Sequence, residues 1–128
     1  MKKSREIKFR AWDEEDKKML SHDYLLDFSY QDILETWVDR CLMQFTTLMD
    51  DNKKEIYEGD LIKFNDRTIV YEVIWDPYRV AWWLKDVRAD KRERDSDNDH
   101  QQLLNNSWQQ RVIIGNIYEN PEFLEDKK

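Results

Sequence analysis

The feature that most constrains this fold is a succession of short segments rich in aromatic and β-branched side chains, separated by polar turns. In residues 6–12 apolar and polar side chains alternate, so that Ile7, Phe9 and Ala11 share one face. This two-residue period is typical of a half-buried strand. Further segments of strand composition lie at residues 42–47, 55–57, 60–64, 68–75, 79–84 and 111–115. The pattern therefore predicts a mostly β chain.

The polar turns between these segments predict how neighbouring strands pair. Residues 13–18 are polar and lead into Met19 and Leu20, which predicts an N-terminal hairpin. Two more short turns, at residues 65–67 and 76–78, connect three successive strands. Successive strands joined by short turns pair antiparallel. We therefore expect a meander after the first hairpin.

One segment changes from the strand period to a helical one. Between residues 30 and 42 the apolar side chains recur at helical spacing, as Ile33, Leu34, Trp37, Val38 and Cys41. We expect a short amphipathic helix here, although a strand for part of it stays open because Trp and Val favour sheets. The run Asn120-Pro121-Glu122 predicts a second helix start, with Asn as N-cap and Pro at the first helical position. The expected class is a β-rich α+β fold with one or two short helices.

Length and composition predict one folded domain over residues 1–128. The chain has 6 Trp, 6 Tyr and 5 Phe, which is enough aromatic surface for one core at this size. The composition shifts at residues 85–99, which hold five basic and six acidic residues and almost nothing apolar. Such a segment cannot offset its ordering entropy by burial, so we expect a solvated charged excursion over residues 85–100. A helical turn is expected between His100 and Trp108.

Glycine is scarce for a chain with this many turns. Only two glycines occur, and turns often need a positive φ that glycine adopts most easily. Asparagine tolerates the left-handed region best after glycine. We therefore expect asparagines to take part of this role, at Asn52, Asn65 and Asn105 or Asn106.

The distribution of charge disfavours nucleic acid as a partner. The net charge is −7, and residues 20–60 carry ten acidic against three basic residues. An acidic surface repels phosphates over a Debye length of about 8–10 Å. One basic strip near the N-terminus keeps local nucleic-acid contact open, at Lys2, Lys3, Arg5, Lys8 and Arg10.

The sequence also predicts a compartment. No window reaches the roughly 18–20 apolar residues that a membrane span needs. The basic N-terminus is followed by a charged strand where a signal peptide would have an apolar region, so export is not indicated. A single cysteine, Cys41, cannot form an internal disulfide and fits a reducing environment. We expect a cytoplasmic protein without membrane contact.

No pattern in the sequence predicts catalysis, a metal or a cofactor. The two histidines, His22 and His100, are far apart in sequence, and Cys41 stands alone without a zinc spacing. There is no Gly-x-Ser-x-Gly motif, and two isolated glycines cannot build a phosphate-binding loop. We therefore expect no catalytic residues, no metal, no cofactor and no small-molecule ligand.

Two segments are candidates for partner binding. Gly59 stands directly before the strand at 60–64, and this position looks like the entry to a barrel strand in SH3-like folds. In that case Tyr57 and Asp60 could line a groove for a peptide. In the alternative, Gly59 only permits the turn and Asp60 accepts hydrogen bonds from local backbone N–H groups.

The second candidate is the pair Trp82 and Trp83. Adjacent strand residues face opposite sides, so both cannot enter one core. One tryptophan must then be covered by residues 30–41 or 100–108 of the same chain, or by a partner or a second copy. Tryptophan and tyrosine are favoured anchors at interfaces.

Four segments in order resemble the YopX family of small phage and prophage proteins. They are Arg5–Asp13, Leu42–Thr46, Lys54–Asp60 and Ile114–Glu122. The resemblance implies a phage or prophage origin, a bacterial host cytosol, and a largely β fold with a small, partly open, SH3-like barrel or meander. It implies no activity, because the family is one of unknown function.

The chain departs from the family pattern at two glycines. Thr47 stands where the family usually has glycine after the Gln-aromatic-Thr of the strand, and the turn at 50–54 also lacks its usual glycine. We expect that Asn52 carries the positive φ of that turn, or that the turn differs. Residues 76–110 match the family weakly.

Three functions remain open from the sequence. The first is a non-catalytic phage accessory protein that binds another protein or itself through exposed aromatics. The alternative is single-stranded nucleic-acid binding by aromatic stacking together with the basic strip, against the net charge. A third hypothesis has the acidic residues 20–60 mimic nucleic acid towards a basic host protein.

Overall fold

A computed structural model describes residues 6–37, 41–64, 68–87, 100–102 and 111–124. Its elements, in chain order, are β1 (Phe9–Asp13), β2 (Lys18–Leu20), α1 (His22–Leu25), α2 (Tyr30–Thr36), β3 (Leu42–Met49), β4 (Glu55–Tyr57), β5 (Asp60–Phe64), β6 (Val70–Asp76), β7 (Ala81–Asp86), β8 (His100–Gln102), β9 (Arg111–Asn116) and a 3-10 helix at Pro121–Leu124. The expectation of a mostly β chain with only short helices is confirmed.

The strands form two antiparallel sheets. The first has the order β2-β1-β3-β4, and the second has the order β8-β7-β6-β5-β9 and curls into a half-barrel. The predicted N-terminal hairpin is β1–β2, and the predicted meander is β5–β6–β7. A mostly β, partly open architecture is therefore confirmed, while its likeness to an SH3-like barrel stays a prediction.

Each sheet has its own buried cluster. Alternate residues of β5, β6 and β7 meet inside the half-barrel with one residue of β4, as Ile56, Ile62, Phe64, Tyr71, Val73 and Leu84. The first sheet packs on α1 through Ala11, Leu20 and Leu25. Full burial of such side chains stabilises a fold by about 1.5–3 kcal/mol each.

The face predicted for the first strand is only partly right. Ala11 is fully buried, but Ile7 precedes β1 and is 56% exposed. Trp12, on the opposite face, is also buried because its ring stacks on Tyr118, with the ring centroids 5.9 Å apart. Both faces of β1 are therefore covered at this end of the strand.

The helix predicted over residues 30–42 is shorter in the structure. It begins after Ser29, whose hydroxyl accepts a hydrogen bond from Asp32 N, and ends at Thr36. Leu42 already belongs to β3, where it pairs with Ala11, so the chain must leave the helix before it. Val38 lies outside the described residues. No helix within the described ranges is long and apolar enough to cross a bilayer.

The charged segment differs from its prediction at both ends. Strand β7 extends through Lys85 and Asp86, because both pair with β6. The residues His100–Gln102 form strand β8 rather than the expected helical turn, because they pair with the outer edge of β7. Residues 88–99 and 103–110 lie outside the described ranges.

The positive φ angles fall on unexpected residues. Thr47 has φ 72° and Lys53 has φ 63°, so the expectation that Asn52 would carry the turn is wrong. Thr47 stands where the resembled family usually has glycine, and Lys53 lies in the turn that lacks its usual glycine. The chain thus keeps a left-handed backbone at both places with residues that adopt it at a steric cost. Asn65, Asn105 and Asn106 lie outside the described ranges.

We predict that Thr47→Gly raises the free energy of unfolding by about 1 kcal/mol, because glycine adopts a positive φ without this cost. Thr47 is exposed, so the substitution removes little packing. Urea denaturation followed by tryptophan fluorescence measures the change. The control is Thr36→Gly in α2, also exposed, which should lower stability because glycine disfavours a helix. Equal effects of both substitutions would contradict the prediction.

Candidate functional site

Asp60 is a buried connection between the two sheets. Its side chain is 2% exposed, and its Oδ1 accepts a hydrogen bond of 2.7 Å from Arg10 Nη2 of β1. Its Oδ2 accepts a second bond of 2.7 Å from the backbone N–H of Tyr57. Burial raises the pKa of Asp60, and the Arg10 charge and the Tyr57 N–H oppose this rise. The sequence left two roles open for Asp60, which were to line a peptide groove or to accept hydrogen bonds from nearby backbone N–H groups. The bond from Tyr57 N is of the second kind.

Tyr57 is also held inside this junction. Its side chain is 9% exposed, the Arg10 guanidinium lies 4.7 Å from its ring centroid, and Phe45 packs at 5.4 Å. Burial raises the pKa of the Tyr57 hydroxyl. Gly59, with φ 88°, makes the turn between the two residues. Tyr57 and Asp60 are thus packed in a joint between the sheets, and a peptide groove at these two residues stays a prediction.

A polar cleft of about 360 Å³ opens beside this joint. Asp60 lines it, together with Arg10, Lys54 and Glu55 and with the residues of β9. Its charges are largely paired, because Arg10 bonds to Asp60 and Glu55 accepts from Lys8. The cleft therefore presents a compensated polar surface.

A second carboxylate, which the sequence did not single out, also joins the sheets. Asp50 is 4% exposed, and its Oδ1 accepts from Asn52 N and Lys54 N, which shapes the turn before β4. Its Oδ2 accepts from Ile113 N on the outer edge of β9 at 3.0 Å. An Asp at the start of a turn predicts the local bonds. The contact with β9, sixty-three residues away, leaves no signal in the sequence.

The segment after β9 is held in shape by hydrogen bonds from backbone N–H groups to two asparagine side chains. Asn116 Oδ1 accepts from the backbone N–H groups of Tyr118 and Glu119, and Asn120 Oδ1 accepts from Asn116 N at 3.2 Å. A Cβ at position 115 would overlap the Asn120 side chain, so Gly115 permits this approach. The predicted N-cap is therefore wrong in one respect. Asn120 precedes the 3-10 helix, but its side chain turns back to Asn116.

The two neighbouring tryptophans point to opposite faces, as expected. Trp82 packs against the half-barrel core and makes an edge contact with Trp75 at 5.1 Å between ring centroids. Trp83 lies on the other face, opposite Ile74 in β6 and Gln102 in β8. The Arg79 guanidinium lies 4.2 Å from the Trp83 ring centroid. Both tryptophans are half-buried, and their role in partner binding stays a prediction.

An exposed apolar surface with two aromatic residues lies at the turn between β6 and β7, and Tyr24 and Tyr30 are exposed on the helices. Trp75 is 43% exposed, Tyr78 95% and Val80 70%, and we call these three residues the hairpin tip. Asp76 Oδ1 accepts from Tyr78 N and Arg79 N, which fixes the turn. The sequence places these residues in a turn and a strand, but how far each is exposed depends on which other parts of the chain pack beside them.

A groove of about 280 Å³ lies where the sheets meet, and we call it the inter-sheet groove. Gly59 connects its walls, since its N–H donates to Val73 O at 2.9 Å and its carbonyl accepts from Ile117 N at 3.0 Å. A Cβ on Gly59 would approach Met43 Sδ to 3.1 Å. Two acidic residues, Glu58 and Glu72, also line the groove.

Two ionisable groups of this groove have shifted pKa values. Burial raises the pKa of Glu58, and a hydrogen bond from Gln44 N opposes the rise. Burial also raises the pKa of Tyr118, to which the charges of Cys41, Glu58 and Glu72 contribute. Glu58 and Glu72 thus give the inter-sheet groove an acidic lining.

The residues considered for chemistry have structural contacts. His22 Nδ1 accepts a hydrogen bond from Phe9 N at 3.2 Å, and Cys41 O accepts from Trp12 N. Among the described residues, no three His, Cys, Asp or Glu side chains gather as a metal site.

Fold and contacts together define a β-rich protein of two sheets whose polar residues mainly join those sheets. Residues 27–125 match the family described as YopX protein. The chain belongs to the YopX family, which has no known catalytic activity.

One solved structure supports the fold. The crystal structure of protein EF1440 from Enterococcus faecalis is similar to this chain, with 28% sequence identity and a TM-score of 0.55. The similarity covers 95% of this chain and 100% of that one. A comparison with curated proteins finds no match.

We predict that Arg10→Leu lowers the free energy of unfolding by about 3 kcal/mol, because it leaves the Asp60 carboxylate buried without its cation. The loss should shrink as the pH falls, since protonated Asp60 carries no charge. Urea denaturation at several pH values measures both effects. In the control, Lys8→Leu removes a more exposed partner of Glu55, so its effect should be much smaller. A loss in Arg10→Leu that does not change with pH would contradict this role of Asp60.

We predict that Glu58→Gln raises the free energy of unfolding at pH 7. The pKa of Glu58 is higher in the folded state than in the unfolded chain, so its ionised form costs stability above that pKa. Glutamine keeps an oxygen that can accept from Gln44 N. The gain should disappear as the pH falls below about 4, where glutamate is protonated in both states. Thermal denaturation across this pH range tests the prediction, which fails if the gain grows on acidification.

Proposed function

We propose that this protein is a non-catalytic interaction module whose contact surface is the hairpin tip. The carrying observation is the exposure of three large apolar side chains on one turn, with Tyr78 at 95%. Exposed aromatic residues that cluster are typical of protein-binding surfaces. The partner is another protein or a second copy of this chain.

The shape of the hairpin tip supports this role. Asp76 holds the turn by two backbone hydrogen bonds, and its carboxylate also pairs with Arg79. Val80 has φ 52°, a conformation that a β-branched residue adopts only when its surroundings impose it. A preformed turn loses little conformational entropy on binding.

The acidic residues favour binding over catalysis. Asp50 and Asp60 accept hydrogen bonds that join the sheets, and Glu55 pairs with Lys8. A carboxylate engaged in this way is not poised for general acid or base work. The family has no known catalytic activity, which agrees with a protein that acts by binding.

The charges of the chain favour a protein rather than nucleic acid as the binding partner. Within the proposed basic strip, Lys8 pairs with Glu6 and Glu55, and Arg10 pairs with Asp60. Lys2, Lys3 and Arg5 lie outside the described residues. With a net charge of −7, little basic surface remains to displace counterions from phosphates. A phage or prophage origin and a bacterial cytosolic location belong to the same proposal.

The experiment compares two exposed tyrosines. Peptides are selected from a random display library against the wild-type protein, and self-association is measured by sedimentation velocity. We expect Tyr78→Ser to weaken the selected peptides, or the self-association, by about tenfold or more. The matched control is Tyr30→Ser on α2, which is 77% exposed and should change neither.

Three results would overturn the proposal. They are a monomer that selects no peptide, peptides that bind Tyr78→Ser as well as wild type, and equal losses in both variants. Tryptophan quenching by a single-stranded oligonucleotide at low salt, without peptide binding, would replace it by the nucleic-acid alternative.

A further inference from the structure

We propose that the inter-sheet groove receives a lysine or arginine side chain of a protein partner whose apolar residues pack on the hairpin tip. This inference deepens the proposed function and rests on it. It specifies the partner as a segment that is both basic and apolar.

The charges that line the groove point to a cationic occupant. Glu58 and Glu72 line it, and no lysine or arginine is among its described lining residues. The polar cleft on the other side of Asp60 differs, because Arg10 and Lys54 stand there beside the acids. Among the described residues, Glu58 therefore lines the groove without a basic residue beside it in the lining.

The basic residues near the groove leave Glu58 without an ion pair among the described residues. Arg10 donates to the backbone carbonyl of Glu58 at 3.4 Å, but its short ion pair is with Asp60. Lys85 of β7 lies directly opposite Glu72 and on the same face, so Glu72 has a basic neighbour and the proposal rests on Glu58. An incoming cation would thus meet the Glu58 carboxylate without displacing an ion pair of that residue.

The walls of the groove suit the stem of a long basic side chain. Met43, Ile74 and Ile117 are apolar, and such walls pack against the methylene groups of lysine or arginine. Trp75 and Tyr118 add aromatic rings to the lining, and aromatic faces attract cations.

The electrostatics of the groove agree with this role. Burial raises the pKa of Glu58, so ionised Glu58 costs free energy in the protein alone. A cation bound beside it would offset this cost. Burial, and to a lesser extent nearby negative groups, raise the pKa of the Tyr118 hydroxyl, while the Arg10 charge opposes the rise.

Trp75 makes the groove and the hairpin tip one continuous surface. It lines the groove and is also the innermost residue of the tip. A partner segment that packs on Tyr78 and Val80 therefore reaches the groove at Trp75. The surface combines the apolar hairpin tip with the acidic inter-sheet groove. It therefore favours a partner segment in which a basic residue lies beside apolar ones.

The first experiment uses side-chain analogues as probes. Methyl NMR signals of Ile74, Ile117 and Met43 are followed during titration with butylguanidinium and butylammonium. We expect saturable shifts at these methyl groups for both cations. Neutral butylurea and anionic butanoate should give none at equal concentration.

Two variants separate charge from folding. Glu58→Gln should weaken butylguanidinium binding by about tenfold, the loss typical of a deleted charge-assisted hydrogen bond. This variant is expected to be more stable than wild type, so unfolding cannot explain its loss. Glu119→Gln, which removes an exposed acid of the polar cleft, should bind the cation as wild type does.

The second experiment tests the protein source of the cation. A peptide selected through the hairpin tip is compared with its variant in which the basic residue is replaced by norleucine. We expect the replacement to weaken binding to wild type about tenfold and binding to Glu58→Gln much less.

Each outcome decides the proposal. Equal shifts with butylurea, or full cation binding by Glu58→Gln, would overturn the groove as a cation site. Cation binding without coupling between Glu58 and a peptide's basic residue would replace the protein segment by a free organic cation. Failure to select any peptide contradicts the proposed function, whereas the analogue titration still reports on the groove itself.

Discussion

The ion pair of Arg10 and Asp60 is the interaction on which the arrangement of the two sheets depends. Asp60 begins β5 in the half-barrel, and Arg10 lies in β1 of the other sheet, fifty residues earlier. Removing a carboxylate from water is costly unless a cation and hydrogen-bond donors replace the water. Arg10 and the Tyr57 N–H supply both, while the guanidinium also covers the Tyr57 ring. Asp50 also joins the two sheets, but its hydrogen-bond donors among the described residues, including Ile113 N of β9, are all backbone N–H groups.

This way of joining sheets decides where binding surfaces can lie. The acids that hold the sheets together are engaged inside the protein, so the cleft beside them is compensated. Glu58, next in the chain to Gly59, faces the groove on the other side of the junction without an ion pair in the part of the chain that the structure describes. The hairpin tip projects from the second sheet beside that groove. The apolar hairpin tip and the acidic inter-sheet groove therefore lie side by side because of the same junction between the sheets.

Two residues with a left-handed backbone show that this conformation forms here without glycine. Thr47 has φ 72° and Lys53 has φ 63°. The neighbouring structure, from Enterococcus faecalis, shares the fold at 28% identity. Thr47 lies in the bulge of the β3–β4 pairing, between Phe45 and Met49, whereas Lys53 lies in the turn before β4. The strain at Thr47 thus coincides with irregular pairing between strands.

Side-chain period and turn residues within a few positions were enough to predict every strand except β8, the hairpins, the start of α2 and the opposite directions of Trp82 and Trp83. Contacts between distant parts of the chain were needed to place β9 beside β5, to pair β1 with β3, and to bury Asp50 and Asp60 as joints between the sheets. The tertiary structure also leaves Tyr78 in solvent, and it places Trp82 against the half-barrel core and Trp83 beside Arg79. Local pattern specifies which face of a strand is apolar. What covers that face depends on contacts between residues far apart in the chain, and those contacts form only when the sheets pack together.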